Sequence, residues 1–168
     1  MRILLGSLPT IVFSLAKGCR AFPGGVRYTS PMRFQCQPGC IKCCEQPGHI
    51  YLSSSDVARL SRHLKLTQAE FHRQYVCGTK GRERLRKPRA KQCPFLLSDG
   101  CGVHVAKPLQ CKAFPFWPEI LDKASERRDA AAYCPGLGKG PLVNIRVARR
   151  VANQVLREYP EVYQPDAE

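Results

Sequence analysis

The chain has 168 residues, 24% charged and 43% hydrophobic: enough for one domain of ordinary soluble composition, and too few for a large α/β barrel. Two quantities are unusual, the ten cysteines and a formal net charge of +14. No apolar run approaches the roughly 18 residues of a membrane-spanning helix, which argues against a transmembrane protein.

The first segment, residues 1–31, is basic and free of acids. Arg2, an uncharged stretch from Ile3 to Ala16 and Ala16-Lys17-Gly18 follow the order of a secretory signal. Cys19 invites a lipid-attachment reading, but Lys17 fills the small-residue slot and Leu15 is one position too distant. A mitochondrial presequence is a third reading, weakened by Pro9 in what would be its helix. Set against these, Met32-Arg33-Phe34 reads as a translation start just before the first cysteine cluster, with 1–31 an extension outside the working protein. The choice has chemical consequences, because disulfides persist in exported chains while cytosolic thiols stay free for metal. On this reading residues 32–160 form the domain and 161–168 a tail. The location is cytoplasmic, or exported or organellar if 1–31 is a genuine targeting segment.

Residues 34–50 form a loop rich in Cys, Pro and Gly with no apolar period. Ser53-x-x-Asp56 and Thr67-x-x-Glu70 are capping boxes, in which hydroxyl and carboxylate satisfy the first free N–H groups. They predict helices near 54–65 and 68–76, with Val57, Leu60 and Leu64 on the buried face of the first and Phe71 and Tyr75 on that of the second. The stretch 78–91 carries Lys80, Arg82, Arg84, Arg86, Lys87, Arg89 and Lys91 against Glu83 alone. It reads first as a solvated strand face, with Arg82, Arg84 and Arg86 alternating. A nucleic-acid or polyanion contact is the alternative, but no aromatic interleaves to stack on bases.

Cys93 to His104 predicts a hairpin, Pro94–Leu97 and Gly102–Val105 around Ser98-Asp99-Gly100. Pro108 opens a short helix carrying Cys111 and ending before Pro115. Phe114-Pro-Phe-Trp-Pro118 reads as an apolar cover that keeps water from the cysteines, or else as a partner-binding patch. Gly136-Leu-Gly-Lys-Gly-Pro141 lacks the phosphate-loop pattern and reads as a hinge leading into a final helix. That helix opens at Pro141, and Leu142, Ile145, Ala148, Ala152, Val155 and Tyr159 repeat along one face.

The chemistry lies in the cysteines. One group is Cys36-x3-Cys40-x2-Cys43-Cys44, the other Cys93-x7-Cys101-x9-Cys111-x22-Cys134. Close spacing lets one loop offer several sulfurs to an ion or cluster, and zinc and iron–sulfur centres are both held by four such ligands. Eight sulfurs would serve one site with spares, or two. Adjacent Cys43 and Cys44 diverge, so they imply two sites or a role other than ligation for one of them. Buried structural cysteine and a secreted disulfide framework are the plainer alternatives. The Cys36-x3-Cys40-x2-Cys43 spacing also occurs in radical S-adenosylmethionine enzymes, but Lys42 stands where they carry an aromatic, and the remaining chain is too short for their barrel. Lys107 and Lys112 flank Cys111 and could donate to thiolates. His104 is a candidate ligand or a hairpin side chain, while His49, His63 and His72 lack partners at ligand spacing.

In their order, CIKCCE preceded by Phe34, CPFL, CGVH, KPLQCKAFPF and YCPGLGKG resemble the YkgJ family of cysteine-cluster proteins, described as zinc- or iron-chelating. The resemblance covers about residues 34–141. It implies a cysteine-ligated metal centre in a small cytosolic protein, with Cys36, Cys40, Cys43, Cys44, Cys93, Cys101, Cys111 and Cys134 at matching positions. Cys19 and Cys77 match nothing in the pattern. One branch of the family is similar to flagellin lysine methylases, so an iron–sulfur enzyme of methylase or redox type is an alternative to simple chelation. The expected architecture is a small α+β domain: short helices, a β-hairpin, irregular cysteine-rich loops around a metal site, and a closing C-terminal helix.

Overall fold

A computed structural model describes residues 31–87 and 92–163. Strand β1 (Arg33–Phe34) is followed by a single helical turn, α1 (Lys42–Glu45), and by helices α2 (Ser54–His63) and α3 (Gln68–Tyr75). Next come strands β2 (Val76–Cys77), β3 (Arg84–Leu85), β4 (Leu96–Leu97) and β5 (Gly100–Cys101), and a 3-10 turn at His104–Ala106. The C-terminal half holds α4 (Leu109–Ala113), α5 (Pro118–Asp122), α6 (Ala124–Tyr133), β6 (Leu137–Leu142), α7 (Ile145–Glu158) and α8 (Pro160–Tyr163). The strands make three antiparallel pairs, β1 with β6, β2 with β3 and β4 with β5. The fold is a small α+β domain, as expected.

Both capping boxes form in full: Ser53 and Thr67 each accept from the N–H three residues on, and Asp56 and Glu70 each accept the return bond. Val57, Leu60 and Phe71 are fully buried, and with Leu85, Phe95 and Val103 they make the first core. Cys93 belongs to that core, and Cys44 and Cys101 pack against it. A second core gathers Met32, Leu121, Ala148, Ala152 and Leu156, and a third Ala113, Val155 and Tyr159. Helix α7 serves both of these and packs on α4 and α5.

Three local expectations need correction. The hairpin exists, but its strands are only Leu96–Leu97 and Gly100–Cys101, and Val103 to Ala106 turns inward as a 3-10 segment that buries Val103 and Ala106. Pro108 stands one residue outside α4, as its cap. Residues 137–142 are strand β6, paired with β1, rather than a hinge and helix start. The final helix begins only at Ile145, where the Asn144 side chain caps the Arg146 N–H at 2.9 Å, and Leu142 is left 61% exposed. The glycine spacing that resembled a hinge serves this pairing. A Cβ on Gly136 would fall 2.3 Å from the Gln35 carbonyl oxygen, so only glycine lets β1 approach.

Candidate metal centre

No residue between Arg33 and Tyr51 is buried. The first cysteine loop therefore gains little from the apolar cores and is shaped by turns. The Cys40 N–H donates to the Gln37 carbonyl (3.2 Å), and the Cys44 N–H to that of Ile41 (2.8 Å), which winds α1. Successive residues of a helical turn leave the backbone about 100° apart, yet the Cys43 and Cys44 thiols meet, against the divergence expected from their adjacency.

Backbone pairing brings the distant cysteines to this loop. The Cys93 N–H donates to the Cys44 carbonyl (3.2 Å). The β4–β5 hairpin sets Cys101 opposite Leu96, whose N–H returns to the Cys93 carbonyl (3.1 Å). The Gln35 N–H donates to the Gly136 carbonyl (3.1 Å), which sets the chain entering Cys36 beside the chain leaving Cys134.

Cys111 is placed by a buried polar hub at Asp56, which is fully inaccessible. The Asp56 carboxylate accepts from the Tyr159 hydroxyl (2.6 Å), the Leu109 N–H (2.9 Å), the Ser53 N–H (3.1 Å) and the Arg59 guanidinium. Arg59 also donates to the carbonyls of Ala106 (3.2 Å) and Lys107 (3.0 Å). The starts of α2 and α4, the end of α7 and the Lys107 backbone thus meet at one carboxylate. Gln110 adds a second tie: its Oε1 accepts the Tyr51 N–H (2.6 Å) and its carbonyl accepts the Trp117 indole N–H (2.7 Å).

The outcome is a patch of neighbouring thiols. The Cys44 side chain meets those of Cys101, Cys43 and Cys93. Cys36 has Cys43, Cys40 and Cys134 around it, and Cys111 has Cys93, Cys43 and Cys101. All eight cysteines singled out from the sequence are therefore linked. Cys77 sits in β2 opposite Arg84 and takes no part in these contacts, and Cys19 lies outside the described residues. Among the described residues no group of three or more Cys, His, Asp or Glu side chains is closed into a cage that would hold an ion as it stands. The sulfurs are neighbours, with Cys36 and Cys43 exposed and Cys93 buried.

Their electrostatics divide them. A hydrogen bond from Cys44 lowers Cys43, Cys101 or Cys93, one at a time because Cys44 carries a single S–H proton. The same contacts push Cys44 up. Burial pushes Cys111 well up and raises Cys36. Lys107 lowers Cys36, Cys43, Cys101 and Cys111, and Lys87 lowers Cys93. An all-sulfur donor set with lysine charges beside it suits zinc and iron.

Lys107 acts on the thiols through its charge, with its Nζ hydrogen-bonded to His104. Lys112 does not: the charged groups that act on it are Arg59, Asp56 and Lys107, not the sulfurs. Lys87 takes that second place, its Nζ donating to the Gln46 carbonyl at 3.2 Å just beyond α1. It was hidden in the basic run, and only the β2–β3 turn shows that the run ends against the cysteines. In the same run the Arg86 guanidinium donates to the Val76 carbonyl (2.8 Å), so that charge is tied to the strand pair. Arg89 and Lys91 lie outside the described residues. His104 Nε2 is 3.4 Å from the Lys107 Nζ and lowers Cys101 as a neighbour. His49 packs edge-on to Tyr51 at 6.2 Å, and its pKa is lowered by burial and by Arg84.

The aromatic run borders the patch. Phe114 packs against Trp117 (5.2 Å) and Tyr133 (5.9 Å), and Phe116 against Phe34 (5.8 Å). Burial, and the neighbouring Cys134, push Tyr133 up to about 12.

Helix α5 carries Glu119. Its Oε2 is buried with no hydrogen-bond partner, although the Tyr163 hydroxyl bonds the carboxylate. Burial pushes its pKa up to about 7 from an ordinary 4.5. The neutral acid is the favoured form, so the stability this site supplies is full below pH 4.5 and is lost as pH rises toward 7. Glu119→Gln keeps the neutral form. It is expected to gain about 3 kcal/mol over the wild type at pH 8 and little at pH 4.5, by denaturant titration at both values. A constant difference between the two pH values would contradict the assignment.

The model of the CxxCxxCC family, described as a "Putative zinc- or iron-chelating domain", matches residues 35–135. That span contains all eight gathered cysteines, although Cys36 and Cys40 are one residue further apart than the family's name spells. No solved structure matches the chain. No helix among the described residues is long and apolar enough to cross a membrane. With more than half its length matched, the chain belongs to the CxxCxxCC family.

Proposed function

We propose that this protein binds zinc or iron through cysteine thiolates, with Cys36, Cys40, Cys43, Cys44, Cys93, Cys101, Cys111 and Cys134 as the ligands. One observation carries the reading. Eight cysteines from five separate parts of the chain meet in one patch, with the Lys107 and Lys87 charges beside them to favour thiolates. Cys44, Cys111 and Cys36, which hold their protons, would release them on metal uptake. A zinc centre closed by cysteines would fix the loops. Iron held as an iron–sulfur cluster would also admit redox or methyl-transfer chemistry. The exposure of Cys36 and Cys43 favours giving that second reading a place, because a solvent-facing edge lets a partner or substrate reach the centre. Either reading goes with a reducing, cytoplasmic setting and with residues 32–160 as the working unit.

The test is metal content after anaerobic purification. Cys93→Ser and Cys36→Ser are each expected to lose at least half of the bound metal, whereas Cys77→Ser retains all of it. Equal loss in all three variants would show the grouping to be wrong.

A further inference from the structure

We infer that the eight cysteines form two adjoining four-sulfur sites, Cys36, Cys40, Cys43 and Cys134 in one and Cys44, Cys93, Cys101 and Cys111 in the other, divided between adjacent residues of α1. The inference rests on the reading of these cysteines as metal ligands.

Separate backbone connections build the two sets. The first follows from the pairing of β1 with β6. Phe34 stands opposite Leu137, and the Gln35 N–H bonds Gly136, so Cys36 and Cys134 leave the same end of that ladder. The turn Gln37–Cys40 then folds Cys40 back beside Cys36. The second set follows from the Cys93–Cys44 backbone bond, the β4–β5 hairpin that returns Cys101 to Cys93, and the Asp56 hub that seats α4 with Cys111. The thiol neighbours follow this division except at Cys43, which touches Cys44 and neighbours Cys101 as well as Cys36. The three sulfurs around Cys36 are Cys43, Cys40 and Cys134. Cys44 meets Cys101 and Cys93, besides the adjacent Cys43.

The dividing line runs between adjacent residues of α1 whose thiols touch each other. One four-coordinate ion would use four of the eight sulfurs, whereas two centres use all of them. Each set then holds four sulfurs, the full complement for tetrahedral zinc or for one iron–sulfur cluster. Cys43 also neighbours Cys101 and Cys111, so the sites abut. Lys107 lies at that seam, beside Cys36 and Cys43 of one set and Cys101 and Cys111 of the other. A zinc ion held by four thiolates carries a net charge of about −2, so two abutting sites concentrate negative charge where this lysine stands.

Titration of the reduced, metal-free full chain with Co2+ under anaerobic conditions tests the division, read by thiolate-to-cobalt charge-transfer and visible d–d absorption. The wild type is expected to develop four-sulfur bands up to two equivalents. Cys134→Ser and Cys101→Ser should each keep those bands for one equivalent, and the double variant for none. Saturation of the wild type at one equivalent overturns the division while leaving chelation intact. So does loss of both equivalents in each single variant with an unchanged circular dichroism spectrum. Absence of any charge-transfer band in the wild type overturns the chelation reading and the division together. Because the wild-type stoichiometry needs no variant, a misfolded mutant does not shield the proposal.

Discussion

Asp56→Ala is expected to destabilise the fold by about 3–5 kcal/mol, the range found when one partner of a buried, hydrogen-bonded charge pair is removed. The carboxylate is fully inaccessible and accepts from a tyrosine hydroxyl, two backbone N–H groups and a guanidinium. Deleting it leaves the Tyr159 hydroxyl and the Leu109 and Ser53 N–H groups without this acceptor, which costs more than the bonds themselves contribute. Ser53→Ala removes only the capping hydroxyl of the same helix and is expected to cost about 1 kcal/mol. The contrast, read by urea denaturation of both variants, separates a cap from a hub. A loss at Asp56 no larger than that at Ser53 would show that the hub is not holding α2, α4 and α7 together. The effect should reach the sulfurs as well, since the same carboxylate seats α4, which carries Cys111, and orients Arg59 on the Lys107 carbonyl.

Metal removal is the second large effect. Chelation under reducing conditions is expected to lower stability by several kcal/mol, since the binding energy of a structural metal, about 10–16 kcal/mol in small zinc domains, is folding energy. The loss should be uneven. Helices α2 and α3 lie on the first core and α7 on the other two, so most helical circular dichroism should survive. The loop from Arg33 to Tyr51 has no buried residue and depends on its cysteines. Limited proteolysis should therefore cut within that loop, near Lys42, in the chelated protein and spare it in the metal-bound one. Identical cleavage of both forms would mean that the turns alone hold the loop.

The helices that carry the first core were legible because their signals are local. Ser53, Asp56, Thr67 and Glu70 define their starts, and Val57, Leu60 and Phe71 their buried faces. Helix α6 left no such trace. Only Ala130 is buried in it, so Ala124–Tyr133 is built from helix-forming residues without an apolar period. Strands β1 and β6 were missed for a different reason. Two residues pair with a glycine-rich segment about a hundred positions away, and neither half alternates in hydrophobicity. The eight cysteines could be named from spacing and resemblance, but their neighbours could not. Which sulfur faces which depends on the β1–β6 pairing, the Cys93–Cys44 bond and the Asp56 hub. All three are long-range contacts with no sequence signature. Lys87 stayed hidden on the same ground.

The most direct test of the account is elemental analysis of the anaerobically purified chain, taken with its visible absorption spectrum. The account predicts stoichiometric zinc in a colourless protein, or iron with acid-labile sulfide and a brown colour. A folded protein free of both metals, with all eight thiols open to alkylation, would contradict it.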